Sequence, residues 1–421
     1  MTQKFFYALC AIMMACPALA AQSPPPISSI APITLQQAVD RALANNPSLA
    51  AEREHLSAVH ADVLTARARQ NPTLTLLGQS VTLPEVNNTS GNPFFYSANV
   101  SRLFERGNKR GIRIQAANAA TEVTESQLRD QERQLILSVR IAFTNMLAAK
   151  AGLAIANENF TDYRKTVDLS KARLDAGDIT RTDYERIDLQ LAQFEADADT
   201  ARLNMQQAST QLQQFFGVDH PSPTLDITGT LDPPILTLTK AEAENLALAS
   251  RPDYKAAQQS LLLSQANARY AIAGGTADPT ISSEYDRTGP DNSFGVSISI
   301  PLRIFDRNQG EKQRTRYEVN SSRFALIAAR NQVISDVDQA WLALETAQQQ
   351  AIRYNTHYLG EAGRVRDNLQ FSYRNGNSTL LDYLQSLRDY RSIHLSSLNA
   401  NAQVWLAIHQ LSYETATDIL P

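Results

Sequence analysis

Thiols are almost absent from this 421-residue chain. Both cysteines, Cys10 and Cys16, lie within the first twenty positions. Beyond them there is no material for a disulfide framework or a thiolate metal site. Methionine is scarce too, with only Met146 and Met205 after position 20, which argues against a path of thioether ligands for soft metals. Positive charge is not concentrated: 39 basic residues stand against 43 acidic ones, for a net charge of −4. Without a basic stripe, nucleic acid is a poor partner. No uninterrupted apolar run after position 20 approaches about 18 residues, so no transmembrane helix is expected.

Catalytic signatures are missing as well. The histidines are His55, His60, His220, His357, His394 and His409, and none has the spacing of a helical metal pair or of HExxH. "GNKRG" lacks the GxxxxGK[ST] spacing of a phosphate loop, and there is no GxSxG elbow. No catalytic residue, metal ligand or cofactor is expected. "NNTS" (87–90) is a sequon by pattern only.

What is present begins with a targeting signal. Lys4 is the one charge in the first twenty residues, "FFYALCAIMMA" (5–15) is the apolar core, and "ALA" (18–20) is a small-x-small cleavage site. The stretch is too short to span a bilayer stably. "MMAC" (13–16) weakly resembles a lipoprotein box that would make Cys16 a lipid-modified terminus, but Pro17 follows at once and cleavage near Ala20 fits better. An exported chain without membrane helices belongs in the periplasm, outside the cell, or in an outer-membrane barrel.

The remainder reads as two copies of one pattern. "ITLQQAVDRALANNPSLAA" (33–51) returns as "LTLTKAEAENLALASRPDYKAA" (236–257), with Pro47 and Pro252 at an offset of 205. "LFERGNKRG" (103–111) returns as "IFDRNQGEK" (304–312) at an offset of 201, and "DAGDITRTDY" (175–184) as "RNGNSTLLDY" (374–383) at an offset of 199. Such a period is far too long for a solenoid repeat. The expected division is a signal peptide over 1–20, a first repeat over 21–220 and a second over 221–421.

Each copy opens with a helix pair broken at a proline, for which Asn46 is a good N-cap. Strands are expected over about 72–83 and 93–104, and over about 279–288 and 292–305. Val296, Ile298 and Ile300 alternate with Ser297 and Ser299, the period of a two-faced strand. Then come long helices, about 109–216 and 311–420. Residues 178–216 and 377–420 contain neither Pro nor Gly, and 112–176 contain only Gly152. Leu135, Val139, Ala142, Met146, Ala149, Leu153, Ala156, Phe160, Tyr163 and Val167 alternate by four and three, a coiled-coil seam. Val333, Val337, Ala340, Leu344, Ala347, Ala351, Tyr354 and Tyr358 do the same. Gly177 and Gly376 mark the reversals of two helical hairpins.

Two hairpins make four strands, whereas single-chain membrane barrels start at about eight. Open edges in lipid are costly, so a membrane sheet of this size must be shared among copies. Pro301 would end its ladder, and Phe305, with Phe104 in the other copy, would mark the membrane boundary.

With these strings in place, the sequence resembles the TolC-like outer-membrane factors from about Ile33 to Leu420. "IPLRIFDRNQG" (300–310) and "LFERGNKRG" further resemble the heavy-metal, cobalt–zinc–cadmium type efflux branch. The resemblance implies a mainly α fold with a membrane β region: three protomers, each with duplicated β-hairpins and long coiled-coil hairpins, forming a 12-stranded β-barrel continued by an α-helical periplasmic tunnel. It implies a passive exit duct in the outer membrane of a Gram-negative bacterium, a homotrimer in contact with outer-membrane lipid. Its partners would be a periplasmic adaptor (membrane fusion) protein and a proton-driven inner-membrane pump of the resistance–nodulation–division class. By the same resemblance, Arg173, Leu174, Gly177, Tyr373, Gly376 and Ser378 fall at tips where the adaptor docks. Asp382 falls at the pore gate with Asp183 as its repeat-mate, and Gln385 departs from a paired acidic ring. A ring of Asp382 carboxylates would attract cations; the local alternative is an Asp satisfied at a helix start. Other readings are a duct for drugs, dyes or type I protein secretion, and a periplasmic coiled-coil structural protein.

Overall fold

The structure, a computed structural model, describes residues 32–79, 95–223, 225–234 and 236–419. The signal segment with Cys10 and Cys16, the sequon at 87–90, and the expected strand ends at 80–83 and 93–94 lie outside the described residues.

The chain opens with α1 (Leu35–Asn45) and α2 (Pro47–Arg67), continues into β1 (Thr73–Gln79) and β2 (Phe95–Leu103), and then into α3 (Lys109–Asp175) and α4 (Arg181–Gln213). The order repeats as α5 (Lys240–Ser250), α6 (Pro252–Gly274), β3 (Thr280–Thr288), β4 (Asp291–Ser299), α7 (Gln309–Arg353), α8 (Leu359–Arg374) and α9 (Leu380–Thr415). Local chemistry sets many of these boundaries. Thr34 and Thr239 form capping boxes with Gln37 and Glu242, and Asn46 accepts the Leu49 N–H at the start of α2. With 67 residues, α3 is about 100 Å long.

The four strands form one antiparallel sheet in the order β1-β2-β3-β4, so β2 and β3 join the two hairpins at its centre. β4 is shorter than the sequence predicts: pairing ends at Ser299 rather than running to 305. Pro301 has no N–H to continue the ladder.

The helices hold three apolar clusters. One packs α1 against α3 and α4 through Val39, Val139, Met146 and Leu212; the second packs α5 against α7 and α9 through Ala243, Val337, Leu344 and Val404. The third lies nearer the helical turns and draws Tyr163, Val167, Ile187 and Phe194 together with Leu384 of α9. In the second expected seam, Val333 to Ala351 are buried but Tyr358 is 45% exposed. The reason is a π-helical turn, Tyr354–Tyr358, between α7 and α8. Its i→i+5 bonding inserts a residue and rotates the apolar stripe away from its partner. The first seam has no such interruption, although Leu135, Ala149, Leu153, Ala156 and Phe160 are only half-buried within one chain.

By length and composition α3 alone among the described helices is apolar enough to cross a membrane, with a window of mean hydropathy 1.3. The lack of an uninterrupted apolar run did not anticipate this. Its apolar stretch is partly accounted for by packing on α1 and α4.

Candidate functional site

The sheet has two chemically different faces. Residues paired across an antiparallel ladder share a face, so the register sorts them directly. One face is mainly apolar, with Leu74 and Leu76 on β1, Tyr96 and Val100 on β2, Ile281 and Tyr285 on β3, and Phe294, Val296 and Ile298 on β4, while Arg102, Ser283, Arg287 and Asn292 also fall on it. All nine apolar side chains are exposed, Leu76 and Phe294 by 71% each. The opposite face carries Thr73, Thr75, Ser97, Asn99, Ser101, Ser282, Glu284, Ser293, Ser297 and Ser299, with Leu77, Phe95 and Leu103 as apolar exceptions. Both edges, β1 and β4, lack a neighbour among the described residues.

Below the sheet, each long helix begins at a left-handed asparagine, Asn108 with φ 56° and Asn308 with φ 62°. A side-chain oxygen of Asp306 accepts the Asn308 N–H, and the Asn308 amide donates to the Ala271 carbonyl at 2.8 Å. At the other junction a Cβ on Gly111 would meet Asn108 Oδ1 at 2.3 Å, so a side chain there would have to displace the Asn108 amide. Lys109 is buried and donates to Asp278 at 2.5 Å and to the Thr276 carbonyl at 2.7 Å. The same carboxylate accepts the Arg106 N–H, and the Phe104 N–H continues the ladder to the Pro279 carbonyl. Burial alone would raise the Asp278 pKa, but Lys109 and the Arg106 N–H outweigh it and the net shift is downward. Arg110 and Arg113 donate to the carbonyls of Ala66, Arg67 and Ala68, where α2 ends. Thus "LFERGNKRG" and "IFDRNQG" form the elbows that turn strand into helix. Pro301 and Phe305 stand at the second elbow, and Phe305 is 90% exposed.

At the far end the two helical turns are built alike. Gly177 (φ 81°) and Gly376 (φ 74°) occupy the left-handed position after α3 and α8. Asp178 N–H bonds the Arg173 carbonyl and Gly177 N–H that of Leu174; Asn377 N–H bonds that of Ser372 and Gly376 N–H that of Tyr373. Both are Schellman closures. Thr180 and Thr379 then N-cap α4 and α9, their hydroxyls donating to Asp183 at 2.8 Å and Asp382 at 2.6 Å. The sequence signal is G-x-x-T-x-x-D-Y, present twice.

The expected gate residues are therefore partly spent on local structure. Asp382 is exposed in a capping box, Asp183 is half-buried in the equivalent bond, and exposed Gln385 donates to Asp389 at 2.9 Å. Of the expected tip residues, Arg173 and Tyr373 come together, the guanidinium 5.5 Å from the ring centroid. Tyr373 stacks on Tyr383 with centroids 5.4 Å apart, a contact that sequence reasoning missed. Burial raises the Tyr373 pKa, with the Arg173 cation opposing. Leu174 is half-buried, and Ser378 donates weakly to the Leu369 carbonyl at 3.4 Å. The ion pair of Arg391 of α9 with Asp197 of α4 ties the two hairpins, and within the second hairpin Arg366 of α8 lies over the Tyr390 ring of α9 at 3.9 Å. Among the described residues no group of three or more His, Cys, Asp or Glu is gathered as a metal site.

The profile of the outer membrane efflux protein family matches residues 38–218 and 244–413. The chain belongs to that family. Both elbows and both tips lie inside the matched spans. A cobalt-zinc-cadmium resistance protein, CzcC of Cupriavidus metallidurans, is 24% identical over 390 residues, covering 91% of this chain and 90% of the relative. The outer membrane efflux protein BepC of Brucella suis is 21% identical over 393 residues, covering 90% and 84%. Among solved structures, CusC superimposes with a TM-score of 0.77 at 19% identity, covering 90% of this chain and 91% of that one. The protein is an outer membrane efflux channel by family, mainly α with a β region.

Proposed function

We propose that three copies of this chain close their sheets edge to edge into a 12-stranded β-barrel, four strands from each. The long helices would continue it as a periplasmic tunnel. The observation that carries this reading is the sheet itself: a mainly apolar face, a mainly polar face and two edges without a neighbour among the described residues. In lipid each unpaired backbone group costs several kcal/mol, and joining β1 of one copy to β4 of the next removes that cost. The apolar face meets lipid, the polar face lines the duct, and Phe104, Pro301 and Phe305 mark the lower boundary.

The duct works passively in a tripartite, proton-driven system with a periplasmic adaptor seated on the tips and a resistance–nodulation–division pump beneath. Its cargo is divalent heavy-metal cations, a reading supported by the similarity to the cobalt-zinc-cadmium resistance protein. Asp382, exposed at the start of α9, contributes a ring of carboxylates at the gate.

Deleting the gene and measuring growth against cobalt, zinc, cadmium, nickel and copper salts, with dyes and detergents in parallel, tests the cargo. Selective sensitivity to divalent metals that the intact gene rescues is the expected result. Sensitivity to dyes and detergents alone would reject metal cargo while leaving the channel.

A further inference from the structure

The last rung of the sheet joins Leu103, Thr280 and Ser299, with Thr73 opposite Ser101 two residues above it. All four segments that enter or leave the sheet at this end therefore lie near one level. The helix ends meet there too, Arg110 and Arg113 holding the end of α2 to the start of α3, and Asn308 holding the start of α7 to Ala271 of α6. Residues 66–72, 102–113, 275–279 and 300–316 make up this level. They contain twelve Lys and Arg against four Asp and Glu, in a chain whose net charge is −4. The fold gathers into one belt the cations that the sequence spreads among distant segments.

The four carboxylates of the belt are all engaged. Glu105 pairs with Arg113, Asp278 with Lys109 and Glu311 with Arg314, and Asp306 accepts the Asn308 N–H. That leaves Arg67, Arg69, Arg102, Arg106, Arg303 and Arg307 without an ion-pair partner among the described residues. Arg102 is half-buried and the other five are exposed.

Arg102 shows which way the belt faces. It lies opposite Ile281, one rung above the base, on the mainly apolar face, with its guanidinium 5.3 Å from the Phe104 ring centroid. On a lipid-facing wall such a side chain lays its stem on apolar surface and carries its head to the membrane surface. Just beyond Ser299, Leu302, Ile304 and Phe305 are exposed and interleaved with Arg303, pairing apolar groups suited to acyl chains with a cation suited to headgroups. A guanidinium fork matches a phosphate with two parallel N–H bonds. A phosphodiester headgroup with no ammonium of its own leaves that negative charge for the protein to neutralise.

We propose that this belt binds the headgroups of anionic phospholipids in the periplasmic leaflet of the outer membrane, with Arg102, Arg303 and Arg307 as its main contacts. The inference rests on the reading of the sheet as a barrel wall, and adds that the base of that wall selects its lipid by charge.

The test uses the full-length protein in phosphatidylcholine liposomes that carry a trace of spin-labelled phosphatidylglycerol or spin-labelled phosphatidylcholine. Electron paramagnetic resonance then reads the share of each labelled lipid immobilised at the protein surface. Phosphatidylglycerol should be preferred about fivefold, and high salt should remove most of that preference. Combining Arg102→Gln, Arg303→Gln and Arg307→Gln should bring the ratio close to one. Arg287→Gln, at the opposite end of the same face, should leave it unchanged. Equal shares of the two lipids in the unaltered protein, or a preference that survives the triple substitution, would overturn the proposal while leaving the barrel. Absence of any immobilised lipid would overturn the proposal and the barrel reading together.

Discussion

α2 and α6 hold corresponding places, each starting at a proline after a short helix, yet different chemistry secures them. At α2 the Asn46 side chain accepts the Leu49 N–H three residues on. At α6 the same position is Arg251, which makes no cap at all. It is 4% exposed and binds Asp253 at 2.7 Å, Glu414 at 2.8 Å and Asp336 at 3.0 Å, tying α6 to α9 and α7. Arg133 of α3 joins the group through Asp130 and the Tyr413 carbonyl. Burial raises the Glu414 pKa; for Asp253 the effect of burial is outweighed by Arg251 and the pKa falls. At this one position the duplicated scaffold thus uses a local cap in its first half and a long-range ion cluster in its second. The first arrangement is cheap to lose, whereas the second leaves buried charges when broken.

Breaking the cluster should therefore have the largest effect. Arg251→Ala should cost about 3–5 kcal/mol, since it strands carboxylates that had a buried partner, seen as a steep fall in the thermal midpoint of the detergent-purified protein. A loss no greater than that of a cap would erase the contrast between the halves.

Acid should act through the second half next. Burial, with the Arg140 cation, lowers the His409 pKa to about 4, and Asp418 opposes. The unfolded histidine titrates near 6.5, so between those values the unfolded state binds the extra proton. Stability is fully present above about pH 6.5 and falls as pH drops toward 4, by about 3 kcal/mol at most. His409→Gln should flatten that slope in chemical unfolding measured across the window; an unchanged slope would remove His409 as its source.

The tips should respond equally, because their turns are alike. Gly177→Ala and Gly376→Ala should each cost about 1–2 kcal/mol for forcing a side chain into the left-handed region. Unequal losses, read by protease sensitivity of the turns, would show that contacts beyond the turn distinguish them. The mildest change, Asn46→Ala, should cost about 1 kcal/mol, and a much larger loss by thermal unfolding would mean that its bond to the Phe215 carbonyl matters more than the cap.

These contrasts also mark what can be read from residues in order. The caps, the Schellman glycines, the seam from Val333 to Ala351 and the alternation of β4 rest on neighbours a few positions apart, so the sequence displays them. The π turn is hidden because YNTHY continues the apolar spacing that it physically breaks. Lys109 finding Asp278, Arg251 finding Glu414 and Tyr373 stacking on Tyr383 depend on how helices and hairpins come together. Periodicity carries no information about that. Asp382 shows the reverse: its position was legible, and its bond to Thr379 reveals that a helix start already employs it.

The most direct test of the central claim is a cysteine scan of β4. Single cysteines at Phe294, Val296 and Ile298, and at Ser293, Ser297 and Ser299, would be placed in the protein in membranes, labelled with an environment-sensitive probe and challenged with a water-soluble quencher and with a lipid-borne one. The account requires a two-residue alternation, the first set quenched from lipid and the second from water. Quenching from water at every position would contradict a membrane-embedded barrel wall.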